Sequence, residues 1–154
     1  MKTEDRKSLS VAVLLICMGI GSYTMNHILI PATHSIKYRV LWRSGGIPSA
    51  QNDYMLFEHN DTYLPEGETH LVKRLGCIEG QYLSKLNRQF YCDGTEIAIA
   101  AVEDSTGTPL PVFSFTGVIP KGKAFAVGDT DNSYDSRYWG FMEISTAERL
   151  MPIF

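Results

Sequence analysis

The chain has 154 residues, 44% hydrophobic and 20% charged, enough for one folded domain with an appendage. Its formal net charge of -3 lacks the basic footprint of nucleic-acid binding, so nucleic acid is not an expected partner. Eight Tyr, 13 Gly and 7 Pro favour strands and turns over long helices.

Residues 1–8 are polar, with Lys2, Arg6 and Lys7. From Leu9 to Ile36 no side chain carries a formal charge. A membrane span needs about 20 apolar residues, and Leu9 to Ile30 supply them. The run has no polar stripe, unlike an amphipathic core helix. A cleaved signal peptide is the competing reading, but no good small-x-small cleavage site follows the apolar core. Leu14-Leu15-Ile16-Cys17 lacks the small residues that precede a lipoprotein cysteine. Basic residues before the run favour a cytoplasmic N-terminus, although Lys37, Arg39 and Arg43 beyond it pull the other way. The expected organisation is a cytoplasmic segment at 1–8, a transmembrane anchor at 9–30 and a periplasmic domain at 31–154.

Beyond the span the chain reads as short strands between turns. Tyr38–Trp42 is a strand ended by Arg43-Ser44-Gly45-Gly46. The turn Gln51-Asn52-Asp53 leads into Tyr54–Glu58. His59-Asn60-Asp61 and Leu64-Pro65-Glu66-Gly67 are turns. His70–Leu75 and Gln81–Ser84 are extended around the Glu79-Gly80 turn. Gln89–Cys92 and Thr95–Ala100 flank Asp93-Gly94, a strong hairpin signal. Glu103–Leu110 is a loop, Val112–Ile119 a strand, and Pro120-Lys121-Gly122-Lys123 a turn. Ala124–Val127 and Tyr138–Phe141 are apolar strands. This spacing predicts an all-β barrel or sandwich. Cys17 lies in the apolar run, while Cys77 and Cys92 either pair in an oxidising compartment or stay as separate thiols.

Between the last two expected strands lies Gly128-Asp129-Thr130-Asp131-Asn132-Ser133-Tyr134-Asp135-Ser136-Arg137. A polar cluster pinned between buried elements has fixed geometry, and its carboxylates need partners. Arg137 is the obvious partner for Asp129 or Asp135. Lys73 and Arg74 adjoin in a strand, so they face opposite sides and one of them faces inward. A buried lysine has its pKa lowered by desolvation. A neutral amine can then serve as general base to a serine hydroxyl. An inward arginine paired with a carboxylate is the plainer alternative. His27, His34, His59 and His70 lack metal-pair spacing, so no metal is expected, and a serine–lysine pair needs no cofactor.

Gly128–Gly140 resembles the C-terminal box of type I signal peptidases, departing at Thr130, where that family usually has Asn. Val72–Gln81 resembles the family's Lys-Arg box. Lys73 and Arg74 are intact there, but Glu79-Gly80-Gln81 replaces the Pro-Gly-Asp corner, which should weaken that turn. Asn52-Asp53-Tyr54 sits where the family has Gly-Asp-aliphatic at the start of a strand. Thr33-His34-Ser35, with the small size of the chain, looks more like the TraF-like conjugative-transfer branch than the housekeeping enzymes. Members of that branch process pilin, and some join its ends into a ring. The resemblance covers about Thr33 to Phe154.

This resemblance implies a signal-peptidase-like β-domain behind a membrane anchor in the bacterial inner membrane. Ser35 matches the nucleophile and Lys73 the general base. Thr33 and the Ser35 amide match the oxyanion hole. Ser133 matches the serine that orients the lysine, and Asp129, Asp135 and Arg137 the supporting ion pairs. Ser44, Ser49 and Ser136 are competing serines without that context. The implied partners are a membrane-inserted, pilin-like precursor and the lipid bilayer. Two rival readings are a catalytically inactive component of a transfer or secretion apparatus and an intracellular self-cleaving Ser/Lys protein.

Overall fold

The computed structural model describes residues 3–64 and 69–154. Pro65, Glu66 and Gly67 of the expected turn lie outside them, as does Lys2. A long helix, α1 (Thr3–His27), opens the chain. Within it Ser8–His27 is long and apolar enough to cross a membrane. Its 20 residues span about 30 Å at the α-helical rise. From Ser8 onward its apolar side chains are exposed, among them Leu14, Leu15, Ile16 and Met18. Ile28, Leu29 and Ile30 of the expected 9–30 span leave the helix, and Ile28–Leu29 form a strand, β1.

The remaining strands are β2 (Leu41–Arg43), β3 (Tyr54–Glu58), β4 (His70–Ile78), β5 (Tyr82–Leu86), β6 (Gln89–Cys92), β7 (Thr95–Ile99), β8 (Gly117–Val118), β9 (Lys123–Val127), β10 (Met142–Glu143) and β11 (Glu148–Pro152). They form a seven-stranded sheet in the order β1-β2-β11-β3-β4-β9-β10 and a four-stranded sheet in the order β7-β6-β5-β8. The fold is therefore mostly β, with one apolar N-terminal helix. Neither sheet closes on itself among the described residues, so the expected barrel is not formed.

Strand β9 lies between β4 and β10 in the larger sheet. Its side chains alternate, as the pleat requires. Phe125 and Val127 join one core cluster with Leu83, Phe90 and Ile119, while Ala124 and Ala126 join another with Met55, Phe57 and Leu75. Burial on both faces is why Ala124–Val127 reads as an unbroken apolar run. Cys77 and Cys92 form a disulfide that ties β4 of the larger sheet to β6 of the smaller. Closing a loop of this length adds about 3 kcal/mol in the chain-entropy account.

A β-bulge between Leu75 and Cys77 makes Gly76 the extra residue of β4 against β9. A Cβ there would meet Val127 Cγ2 at 2.8 Å. Leu75 and Cys77, on either side of the bulge, accordingly join different core clusters. The hairpin at Asp93-Gly94 has φ of +48° and +82°, as a type I′ turn demands. At the Glu79-Gly80-Gln81 turn the Gln81 side chain bridges two neighbours. Gln81 Oε1 accepts from Ile78 N at 2.9 Å and its Nε2 donates to Asp93.

Two other expectations are corrected. Tyr138–Phe141 is not a strand, because Ser136–Trp139 is a helical turn, α2. Asp135 caps it by accepting from Arg137 N, and Gly140 at φ +94° ends it. Over Val112–Ile119 only Gly117–Val118 pairs as a strand. Phe113 and Phe115 instead pack onto Phe141 at ring distances of 5.2 and 4.8 Å.

Candidate active site

The polar box after β9 meets the middle of β4, and both residues of the Lys73-Arg74 pair reach it from opposite faces of the strand. Lys73 is 3% exposed, and its Nζ donates to Ser133 Oγ at 2.9 Å. Arg74 Nε donates to Asp129 Oδ1 at 2.9 Å, and its NH1 reaches Asn52. The inward residue of the pair is thus the lysine. Burial lowers its pKa to about 8. Asp135 and Asp129 act in the opposite direction, and Arg137 adds to the lowering.

Asp129 pins the segment that carries Ser35. Its backbone N donates to Ser35 O at 2.7 Å, and its Oδ2 accepts from Lys37 N at 3.0 Å. Tyr54 Oη also donates to Oδ2, at 2.7 Å. Burial and this hydrogen bond to a carboxylate raise the tyrosine's pKa. Ile36, 3% exposed, inserts between these contacts into a core cluster with Leu41, Tyr54 and Leu150. Thr33 Oγ1 lies 3.4 Å from Ser35 Oγ as its donor. Ser35, Thr33 and Lys73 line one cleft of about 260 Å³, together with Ala32, His70 and Val72.

Asp135 and Arg137 form the ion pair beneath. Arg137 Nε lies 2.7 Å from Asp135 Oδ1, and Asp135 Oδ2 also accepts from Gly128 N at 2.7 Å. The guanidinium further donates to Ile99 O, Ser133 O and Thr130 O. Burial works against its charge, but the hydrogen bond and charge of Asp135 outweigh it and raise its pKa. Arg137 therefore serves Asp135, and Asp129 takes Arg74 instead.

The competing serines stand elsewhere. Ser136 Oγ is buried and accepts from Ala126 N, and Ser44 Oγ donates to Arg149 O. Neither lines the Ser35 cleft, and Ser49 does not either.

One site residue escaped the reading of the sequence. A Cβ on Gly128 would stand 2.2 Å from Ser133 Oγ and 2.7 Å from Ser35 O. Only a hydrogen fits where the Ser35 segment, the box and Ser133 meet. The signal available was the Gly itself, opening a polar cluster after a buried strand.

These features define a two-sheet β-protein that holds a buried lysine against a serine-bearing loop, beside a cleft containing a second serine. The chain belongs to the signal peptidase family, peptidase S26, whose model matches residues 8–148. It is accordingly a serine endopeptidase, a hydrolase acting on precursor proteins. The crystal structure of a signal peptidase I from Enterococcus faecalis V583 is similar, with 21% identity and a TM-score of 0.43 over 69% of this chain and 99% of that one. No curated protein matches the chain.

Gly128→Ala tests how tightly the two serine segments are set. Overpacking here is expected to cost about 1–3 kcal/mol in urea unfolding. Displacing Ser35 and Ser133 is expected to slow precursor cleavage about 10²-fold. A wild-type rate from a folded G128A chain would separate these serines from the reacting geometry.

Proposed function

We propose that the chain is a membrane-anchored Ser/Lys endopeptidase that removes the leader from exported precursors. Ser35 Oγ attacks the scissile carbonyl and Lys73, as neutral amine, takes its proton. The Ser35 amide and the Thr33 hydroxyl receive the developing oxyanion. Lys73 then returns the proton to the departing amine, leaving an acyl-enzyme on Ser35. Water releases the acid, or an incoming amine closes a ring. Ser133 orients the lysine, while Asp129, Asp135 and Arg137 hold the loop that carries it.

The observation that supports this reading most is the burial of Lys73 against Ser133 in a cleft shared with Ser35. Ser8–His27 serves as the anchor in the bacterial inner membrane, and the β-domain stands on the periplasmic side. The Cys77–Cys92 disulfide agrees with an oxidising compartment. A nucleophile shortly after the anchor meets a substrate held in the same bilayer at a fixed depth, which raises effective concentration. The Thr33-His34-Ser35 box favours a conjugative pilin of the kind handled by the TraF-like branch.

The test is maturation of a candidate pilin precursor co-expressed with wild type, Ser35→Ala or Ser44→Ala. Precursor should accumulate unprocessed with S35A and mature normally with S44A. Normal maturation with S35A sinks the assignment and favours a structural role in a transfer apparatus.

A further inference from the structure

The last turn of α1 is tied to the β-domain by aromatic rings. Tyr23 and His27 stand on one helix face, four residues apart, and their rings lie 4.2 Å from each other. His27 Nδ1 donates to Tyr23 O at 2.8 Å, which holds the imidazole along its own helix. Both rings then meet Trp42 of β2. His27 stacks on the indole at 5.0 Å and 20°, and Tyr23 lies tilted to it at 6.0 Å and 52°. Ile28, the next residue, already begins β1, so the helix passes into the sheet without a flexible link.

Trp42 is fixed in its turn. Ile28 of β1 and Met151 of β11 are its cross-strand partners, one on each side, so the three side chains share one face of the sheet. The other face carries Leu29, Leu41 and Pro152 in register. Leu41 is fully buried and joins Ile36, Tyr54 and Leu150 in one core cluster, with Leu29 packed against it. Ile36 directly follows Ser35. A continuous series of packed side chains therefore runs from the helix end, through β2, to the Ser35 segment. Displacing α1 against this sheet requires unstacking Trp42 or shifting a strand that has neighbours on both sides. Trp and Tyr also favour the membrane–water boundary, which suits a contact at the end of a span.

We propose that the Tyr23–His27–Trp42 stack is a brace that joins span and β-domain into one rigid body, and so fixes the depth of Ser35 at the bilayer and the bond cut in a membrane-held precursor. The inference rests on the reading of Ser8–His27 as the anchor and of Ser35 and Lys73 as the cleaving pair. Tyr23, His27 and Trp42 are positioning residues, and none of them lines the Ser35 cleft. A precursor held by its own span presents its bonds at fixed depths, so a nucleophile at one fixed depth reaches one of them. A nucleophile on a loose tether samples several. A water-soluble peptide carries no depth information and is indifferent to the brace.

The experiment uses the full chain in phosphatidylcholine vesicles, as wild type, as Tyr23→Leu/His27→Leu and as Tyr23→Phe/His27→Phe. The leucine variant keeps the helix apolar but removes two rings of the stack, whereas the phenylalanine variant keeps them. Rigidity is read without catalysis, by pulsed EPR between spin labels on Cys17, which is free and exposed, and on Leu86→Cys at the exposed end of β5. The distance distribution should be narrow in the parent and the phenylalanine variant, and broad in the leucine variant. Cleavage is read by mass spectrometry on a single-span precursor and on a soluble peptide with the same residues around the cleaved bond. On the precursor the leucine variant should lose about five- to tenfold in kcat/KM and cut at neighbouring bonds as well. The phenylalanine variant should restore the single cut, and all three chains should cut the soluble peptide at one rate. A leucine variant with a narrow distribution, or with a single cut at the wild-type rate, overturns the proposal. So does an equal loss on both substrates, which would place the damage inside the β-domain. A width that depends on the stack, in a chain that cuts neither substrate, keeps the brace and refutes the Ser35/Lys73 reading instead.

Discussion

Replacing Lys73 with methionine should abolish cleavage and, at neutral pH, stabilise the fold. The two effects share one cause. The amine is 3% exposed, and its pKa is lowered to about 8 chiefly by burial. Loss of a general base costs about 10²–10⁴ in rate, and loss of one member of a nucleophile–base pair falls at the upper end. In the wild type, the fraction of neutral amine grows tenfold per pH unit below about 8, so kcat/KM should climb with pH and level off above that value. The stability effect has the opposite origin. Between about 8 and the ordinary lysine value of 10.5 the unfolded chain binds the extra proton. Wild-type stability from this group therefore rises with pH across that window, and below it the full penalty applies. That penalty is on the order of 3 kcal/mol. Urea unfolding of Lys73→Met at pH 7 and pH 10 should show a gain that shrinks at the higher pH. An active K73M chain, or a flat rate profile between pH 6 and 9, would refute the assignment.

The second large effect is expected at Arg137. Arg137→Met leaves Asp135, which is fully buried, as an unpaired charge. It also strips a donor from Ile99 O, Ser133 O and Thr130 O, bonded at 2.7, 2.8 and 3.1 Å. Breaking one side of a buried pair costs about 3–5 kcal/mol. Thermal and urea unfolding followed by tryptophan fluorescence should register a loss of that size. Asp135→Leu combined with Arg137→Met removes the stranded charge as well and should recover part of it. The recovered chain should remain slow in cleavage, because Arg137 also holds the Ser133 carbonyl and thereby the partner of Lys73. A loss under about 1 kcal/mol for R137M would mean that the pair is not the frame of this loop.

A tyrosine-lined cavity gives this loop two faces. One bears Ser133 Oγ on Lys73, and the other contributes Asp131 and Tyr134 to an acidic, aromatic pocket. Substitutions that move the pH profile of cleavage should therefore fall on the first of these faces, at Lys73, Ser133 and Gly128.

The sequence alone determined what depends on nearest neighbours along the chain. The apolar helix, the Asp93-Gly94 hairpin, strands β3, β4 and β9, and the alternation that sends Lys73 and Arg74 apart all follow from short-range pattern. The family was legible too, because its motifs are contiguous. What only the tertiary structure decided involves partners far apart in the chain. Whether Asp129 or Asp135 takes Arg137 depends on where Arg74 arrives from β4, some 55 residues away. Strand β11 was invisible because of its five residues only Leu150 is fully buried, and its register comes from β2 and β3 on either side. The short helix at Ser136–Trp139 overrode an aromatic run of high strand propensity because Asp135 caps it. Gly128 acquires its meaning only when the Ser35 segment and Ser133 converge on the same hydrogen atom. Local pattern sets which side of a strand a residue faces. Which group it meets there is set by long-range packing, which a one-dimensional pattern does not carry.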